Sequence, residues 1–148
     1  LRVIDAGTYI AGPCSSTVMA DFGAEVIKIE RPPAGDPYRA LHTLPGMPVA
    51  ETDYCWLLDN RNKRSLALNI AEEAGREVLI RLVRNADVLV TNYQPQMIRR
   101  FRLSYEELSA ENPRLIYASV TGYGEVGEEA EKPGFDTTAY WARSGLMD

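Results

Sequence analysis

Residues 1–30, LRVIDAGTYIAGPCSSTVMADFGAEVIKIE, decide the fold. Leu1 to Ala6 is short and apolar, Gly7 to Pro13 supplies turn residues, and Cys14 to Phe22 carries Val18, Met19 and Phe22 at helical spacing. Gly23 stands where a helix ends on a glycine, and Glu25 to Glu30 alternates β-branched residues with charge. Strand, loop, helix and strand in that order make a βαβ unit, and such a unit lays its two strands parallel.

Further along, residues 31–64 are expected to form an irregular loop, because Pro32, Pro33, Pro37, Pro45 and Pro48 interrupt any periodic pattern between Arg31 and Asp53. Ser65 to Asn69 reads as a strand. Asn69 and Glu72 have capping-box spacing ahead of an apolar stripe formed by Ala71, Ala74, Val78, Leu79, Leu82 and Val83, which Gly75 weakens. Asp87 to Thr91 is a buried strand, Met97 to Phe101 a short helix, and Ser104 with Glu107 caps a helix ending near Asn112. Leu115 to Val120 is the last strand, and Phe135 to Met147 reads as a helix with Thr138, Trp141 and Leu146 turned inward. Alternating strands and helices predict an α/β, Rossmann-like fold: a mainly parallel sheet with helices on both faces.

Composition narrows the function. The chain has 148 residues, 45% hydrophobic and 25% charged, as a folded globular protein does. A net charge of -5 offers no broad basic surface, so nucleic acid is not an expected partner. Apolar runs such as Val88-Leu89-Val90 are far shorter than the roughly 18 residues of a membrane span, and no membrane partner is expected. Cys14 and Cys55 form no CxxC pair and His42 is the single histidine, so no metal site is expected. Two unpaired thiols read as buried ones in a cytoplasmic protein.

Chemistry is expected where loops leave the strands. Gly7 to Pro13 runs into a helix N-terminus, a place where anions bind, but its glycines do not fit GxGxxG and Pro13 removes a donor. Glu30, at a strand end, has the position of a ribose-binding acid. Cations gather at Asn60 to Ser65 and at Arg99-Arg100, and Arg31 follows the second strand; in an acidic protein such groups favour an anionic ligand. Asn92-Tyr93 follows a buried strand, where α/β sheets bind ligands. No Ser/His/Asp arrangement is available, since His42 lies in the proline-rich loop.

Several stretches resemble, in order and over the whole chain, the opening of family III CoA transferases. They are Ala11-Gly12-Pro13, Ala20 to Arg31 (ADFGAEVIKIER), Asn60 to Ser65 (NRNKRS), Ala86 to Tyr93 (ADVLVTNY), Asn112 to Gly124 (NPRLIYASVTGYG) and Pro133-Gly134-Phe135-Asp136. The family includes formyl-CoA and carnitine CoA-transferases and is related to α-methylacyl-CoA racemases. The resemblance implies that residues 1–148 are the N-terminal part of a larger CoA-binding domain, truncated, with the smaller domain and the catalytic segment absent. It implies an interlocked homodimer, coenzyme A as acyl-CoA substrate, small carboxylic acids as the other substrates, and an aspartate nucleophile downstream of Asp148.

By the same resemblance Ile10 and Ala11 match backbone contacts to CoA, Arg31 the residue on the adenine, Leu68 a wall of that pocket, and Arg100 a phosphate contact. Asn92 and Tyr93 match residues of the pantetheine path. Gln94 and Gln96 replace an arginine and a glycine of many members, and Arg99 is the candidate to compensate. Asp136 is not the nucleophile; it is expected at the edge of the acyl pocket as an orienting group. The racemase branch carries a histidine where this chain has Phe135, so a transferase is expected. A racemase and a CoA-binding module without chemistry are the alternatives.

Overall fold

A computed structural model describes residues 1–147; Asp148, the last residue of the expected domain, lies outside the described residues. The strands are β1 (Arg2–Asp5), β2 (Glu25–Glu30), β3 (Lys63–Ala67), β4 (Val88–Thr91) and β5 (Ile116–Ser119). All pair in parallel in the order β3-β2-β1-β4-β5. The helices are α1 (Ala11–Asp21), α2 (Tyr54–Asn60), α3 (Glu73–Val83), α4 (Pro95–Phe101) and α5 (Tyr105–Glu111). Strand order reverses between β1 and β4, and the loops leaving the carboxyl ends of those two strands therefore diverge to open a crevice.

Successive residues of a strand point to opposite faces, and the core divides accordingly. Ile4, Ile29 and Leu89 face a layer with Leu79, Ile80 and Val83 of α3 and Leu108 of α5. Val3, Val26, Val88 and Val90 face the other way, against Ala20 of α1. The sheet is thus covered on both faces, as expected of a parallel sheet.

Three local expectations are corrected. Val18 of α1 and Phe22, which caps its C-terminus, are exposed, and the helix instead buries Gly12, Pro13, Ser16, Thr17 and Ala20. Small residues let the helix lie close to the polar side chains beneath it. Residues 31–64 are not one irregular loop, since they hold a 3-10 helix at Pro37–Thr43 and α2, capped by Asp36 and Asp53 respectively. Asn69 and Glu72 form no capping box: Asn69 Oδ1 accepts from the Ala71 amide at 3.2 Å, and α3 begins at Glu73. The turn this makes brings the Asn69 carbonyl against α3, where a Cβ on Gly75 would stand 2.0 Å from it. Gly75 is therefore what lets the helix approach. The box at Ser104 and Glu107 forms as expected.

The final segment also differs. A wide π-type turn spans Asp136–Ala142, and Thr138, Trp141 and Leu146, expected inward, are exposed. Gly122 and Gly134 hold the segment against the end of β5, for a Cβ on Gly122 would lie 2.7 Å from the Gly134 Cα. No helix among the described residues is long and apolar enough to cross a membrane.

Candidate functional site

Two adjoining cavities occupy the crevice and share Thr8, Tyr93 and Met97 as a common wall. The larger, about 780 Å³, runs from Tyr9, Ile10 and Ala11 past Asn92 and Gln94 to Val120, Phe135, Asp136 and Tyr140. The smaller, about 420 Å³, is bounded by Arg31, Pro32, Pro33, Leu68, Ile70 and Arg100. The seven residues expected to bind the cofactor all line this double cavity. Ile10, Ala11 and Asn92 lie in the larger part, Arg31, Leu68 and Arg100 in the smaller, and Tyr93 between them. Asp136 lines the larger part, as does Lys132.

The walls are built by short-range features. β1 delivers its last side chain, Asp5, into a buried position, and the chain leaves the sheet through Gly7, Thr8 and Tyr9, the last at φ 58. The Asn92 side chain, leaving β4, grips the Thr8 peptide at both ends: Oδ1 accepts from the Thr8 amide and Nδ2 donates to the Thr8 carbonyl, each at 2.8 Å. Tyr93 turns the other way and packs edge-on against Phe101 with ring centroids 5.7 Å apart. Burial pushes its hydroxyl pKa up, which keeps it neutral in the wall. The Tyr9 ring meets Phe135 edge-on at 5.9 Å.

Under the loop lies a buried ionic network. Asp5 accepts from the Gly7 amide at 3.0 Å, from Ser16 at 2.7 Å and from Lys63 at 2.9 Å. Lys28 lies 3.0 Å from Asp36 and 3.7 Å from Asp5, and it donates to the Gly7 carbonyl. Lys63 also donates to the Pro13 and Asp59 carbonyls at 2.7 and 2.8 Å. Two lysines thus face two carboxylates with little solvent, which matches charges at the price of desolvating all four.

Several sequence expectations fail at this level. The cation group at Asn60 to Ser65 is not an anion site: Arg61 pairs with Asp21 at 2.5 Å, Arg64 with Glu25 at 3.0 Å, and Lys63 is inside the network. Arg99 is bound to both carboxylate oxygens of Glu131, at 2.8 and 3.1 Å, and does not point at a ligand in place of the missing arginine. Arg31 and Arg100 have no ion-pair partner among the described residues, and both line the smaller cavity. Cys14 is exposed and only Cys55 is buried.

Glu30 is not a ribose-binding acid. Its carboxylate is filled by Arg39 at 2.7 and 2.8 Å, Ser65 at 2.6 Å and the Asp36 amide at 3.2 Å. Burial pushes its pKa up, but those donors outweigh burial and hold it at about 2, against an ordinary 4.5. A depressed folded-state pKa contributes stability that is complete above pH 4.5 and is lost as pH falls towards 2. Glu30→Gln should therefore unfold at lower urea than the parent at pH 7, with the gap between the two closing as pH falls through that window. A gap that stays constant down to pH 3 would show that ionised Glu30 is not what the donors hold.

Residues that sequence reasoning missed are Asp5, Lys28 and Asp36. Asp36 carried a readable signal, an aspartate directly before Pro37, which is the pattern of an N-cap followed by proline at the first helical position. Lys28 carried none, since an isolated lysine in an alternating strand reads as solvent-facing.

The CoA-transferase family III model matches residues 1–148. The chain is 41% identical over 147 residues to the cinnamoyl-CoA:phenyllactate CoA-transferase of Clostridium sporogenes, covering 99% of this chain and 35% of that protein. It is 41% identical over 147 residues to the acetyl-CoA:oxalate CoA-transferase of Acetobacter aceti, covering 99% and 36%. Among solved structures, a CAIB/BAIF family protein from Brucella suis superposes with a TM-score of 0.88 at 37% identity, covering 100% of this chain and 39% of that one. The chain spans about a third of the length of the curated relatives it matches.

Proposed function

The chain belongs to CoA-transferase family III, and from that premise we propose that the protein it forms part of moves CoA from an acyl-CoA donor to a carboxylic acid. The observation that carries the reading is the double cavity, with Arg31 and Arg100 lining one part and mostly aromatic, apolar and uncharged groups lining the other. CoA has the same division. Arg31 and Arg100 suit its nucleotide and phosphates, because a guanidinium both stacks on a flat ring and forks onto phosphate oxygens. Tyr93, Met97 and Asn92 suit the pantetheine arm, and the acyl group then reaches the end formed by Phe135, Val120 and Tyr140.

The chemistry proposed is covalent. An aspartate outside residues 1–148 attacks the donor thioester carbonyl, the C–S bond breaks, and CoA thiolate leaves behind a mixed anhydride. The thiolate then attacks the aspartyl carbonyl, frees the donor acid and forms an aspartyl-CoA thioester. The acceptor carboxylate displaces the thiolate to form a second anhydride, and the thiolate attacks its acyl carbon, releasing the aspartate. Two-stage acyl transfer divides one difficult exchange into easier steps. Asp136, at the acyl end, orients the acceptor and is not the attacking group. An interlocked homodimer in the cytoplasm is part of the same reading; the free Cys14 and Cys55 fit a reducing compartment.

Racemisation of a 2-methylacyl-CoA is the competing activity, and Phe135 argues against it. A phenyl ring has no exchangeable proton, whereas α-proton transfer needs an acid and a base. Full-length enzyme incubated with a 2-methylacyl-CoA in deuterated water should leave the α-carbon unlabelled, while an acyl-CoA with a panel of free acids should yield new thioesters. Catalytic α-deuteration without CoA exchange to any acid would replace the transferase reading with the racemase.

A further inference from the structure

Gly7, Thr8 and Tyr9 form the turn between β1 and α1, and side chains from four places in the fold hold their backbone. The Gly7 amide goes to Asp5 and the Gly7 carbonyl to Lys28. Both polar groups of Thr8 go to Asn92, and the Tyr9 amide goes to Asp36 Oδ1 at 3.1 Å. Asp36 is 3% exposed and its second oxygen lies 3.0 Å from Lys28, so the grip on Tyr9 is anchored in the buried network. Tyr9 is held at φ 58, a left-handed conformation that is unfavourable for an L-residue and persists only where its surroundings over-determine it.

This arrangement decides which groups can touch a ligand. The three amides of Gly7 to Tyr9 are already donated inward, so the backbone donors left for CoA begin at Ile10. Asn92 uses its carboxamide oxygen and its nitrogen on Thr8, and so its polar atoms are turned to the loop although its stem lines the larger cavity. We infer that Asn92 and Asp36 are positioning residues, which fix the Thr8 and Tyr9 peptides so that Tyr9 and Ile10 stand ready along the cavity before any ligand arrives. The inference rests on the CoA-transferase reading for its kinetic consequence, but the clamp itself is testable apart from it.

Two measurements test it in the full-length protein. The first is amide hydrogen exchange without CoA, which should find Thr8 and Tyr9 protected in the free protein and little changed on adding CoA. Amides that exchange as fast as an open loop, or gain protection only with CoA, would make them ligand donors and overturn the inference. It needs no variant and holds whatever the reaction proves to be. The second is a double-mutant cycle on kcat/KM with Asn92→Ala and Asp36→Asn. Displacing a site wall by about 1 Å costs on the order of 10²-fold, so each variant should lose about that much. Because both act on adjoining peptides of one turn, the double variant should lose about 10²-fold as well. A loss near 10⁴-fold, the product of the two, would mean that they act independently and would overturn the shared role, as would single variants with unchanged kcat/KM. Total absence of CoA transfer by the parent protein defeats the transferase reading and leaves the exchange result to decide the clamp.

Discussion

Replacing Asp5 by alanine should destabilise the full-length protein by about 3–5 kcal/mol, the usual cost of removing one partner from a buried charge pair. Asp5 is fully buried and serves Lys63, Ser16 and the Gly7 amide directly, with Lys28 3.7 Å away. Without it Lys63 keeps only neutral acceptors, the Pro13 and Asp59 carbonyls and the Asn60 amide oxygen. Desolvation already lowers the Lys63 pKa against the pull of Asp5, so loss of the carboxylate drives the lysine further towards the neutral form. Asp5→Asn keeps an acceptor for the Gly7 amide and should lose less. The check is the urea midpoint of each variant at neutral pH, and a shift equivalent to less than about 1 kcal/mol for Asp5→Ala would show that the network does not stabilise the fold.

The second large effect is expected at the cationic end of the cavity. Arg31 and Arg100 come from different elements, the turn after β2 and the last turn of α4, and meet only in the smaller cavity. A hydrogen bond to a charged group contributes about 1.5–3 kcal/mol, so each alanine variant should raise KM for acyl-CoA about 10- to 100-fold. The double variant should approach 10³-fold with a much smaller change in kcat, since both groups act far from the acyl end and bind ground and transition states alike. If KM is unchanged and kcat falls instead, the cations serve the reacting end, and the orientation of CoA along the cavity is reversed.

What could be read before the structure, and what could not, follows from how local each signal was. The βαβ opening was legible because Val3, Ile4, Val26, Ile27 and Ile29 lie in two short runs separated by one helix length, and the sheet pairs those runs as expected. Arg31, Asn92 and Arg100 were legible singly as residues of loops leaving the sheet, but only the resemblance added Leu68 and joined all four in one site across 69 positions of sequence; the sheet order then places them on one crevice. The burial of Lys28, and the donors that fill the Glu30 carboxylate, escaped because an alternating strand predicts one solvated face. Here α1 and the 31–64 segment cover that face, and polar partners rather than water satisfy its charges. The helix α2 escaped because its seven residues follow a run of prolines and are held by a single capping aspartate, Asp53, whose Oδ1 accepts from the Trp56 amide at 3.0 Å.

The turn from Gly7 to Tyr9 has a consequence for protein engineering. Apart from the close approach that Gly7 permits, its shape is encoded in residues outside the turn, so transplanting Gly7-Thr8-Tyr9 onto another parallel sheet would transfer letters without the conformation. A working graft would have to carry Asp5 from β1, Lys28 from β2, Asp36 from the start of the 3-10 helix and Asn92 from beyond β4. The smallest portable unit is thus the β2-β1-β4 half of the sheet with its proline-rich connection, and libraries that randomise the turn alone search where the least information lies.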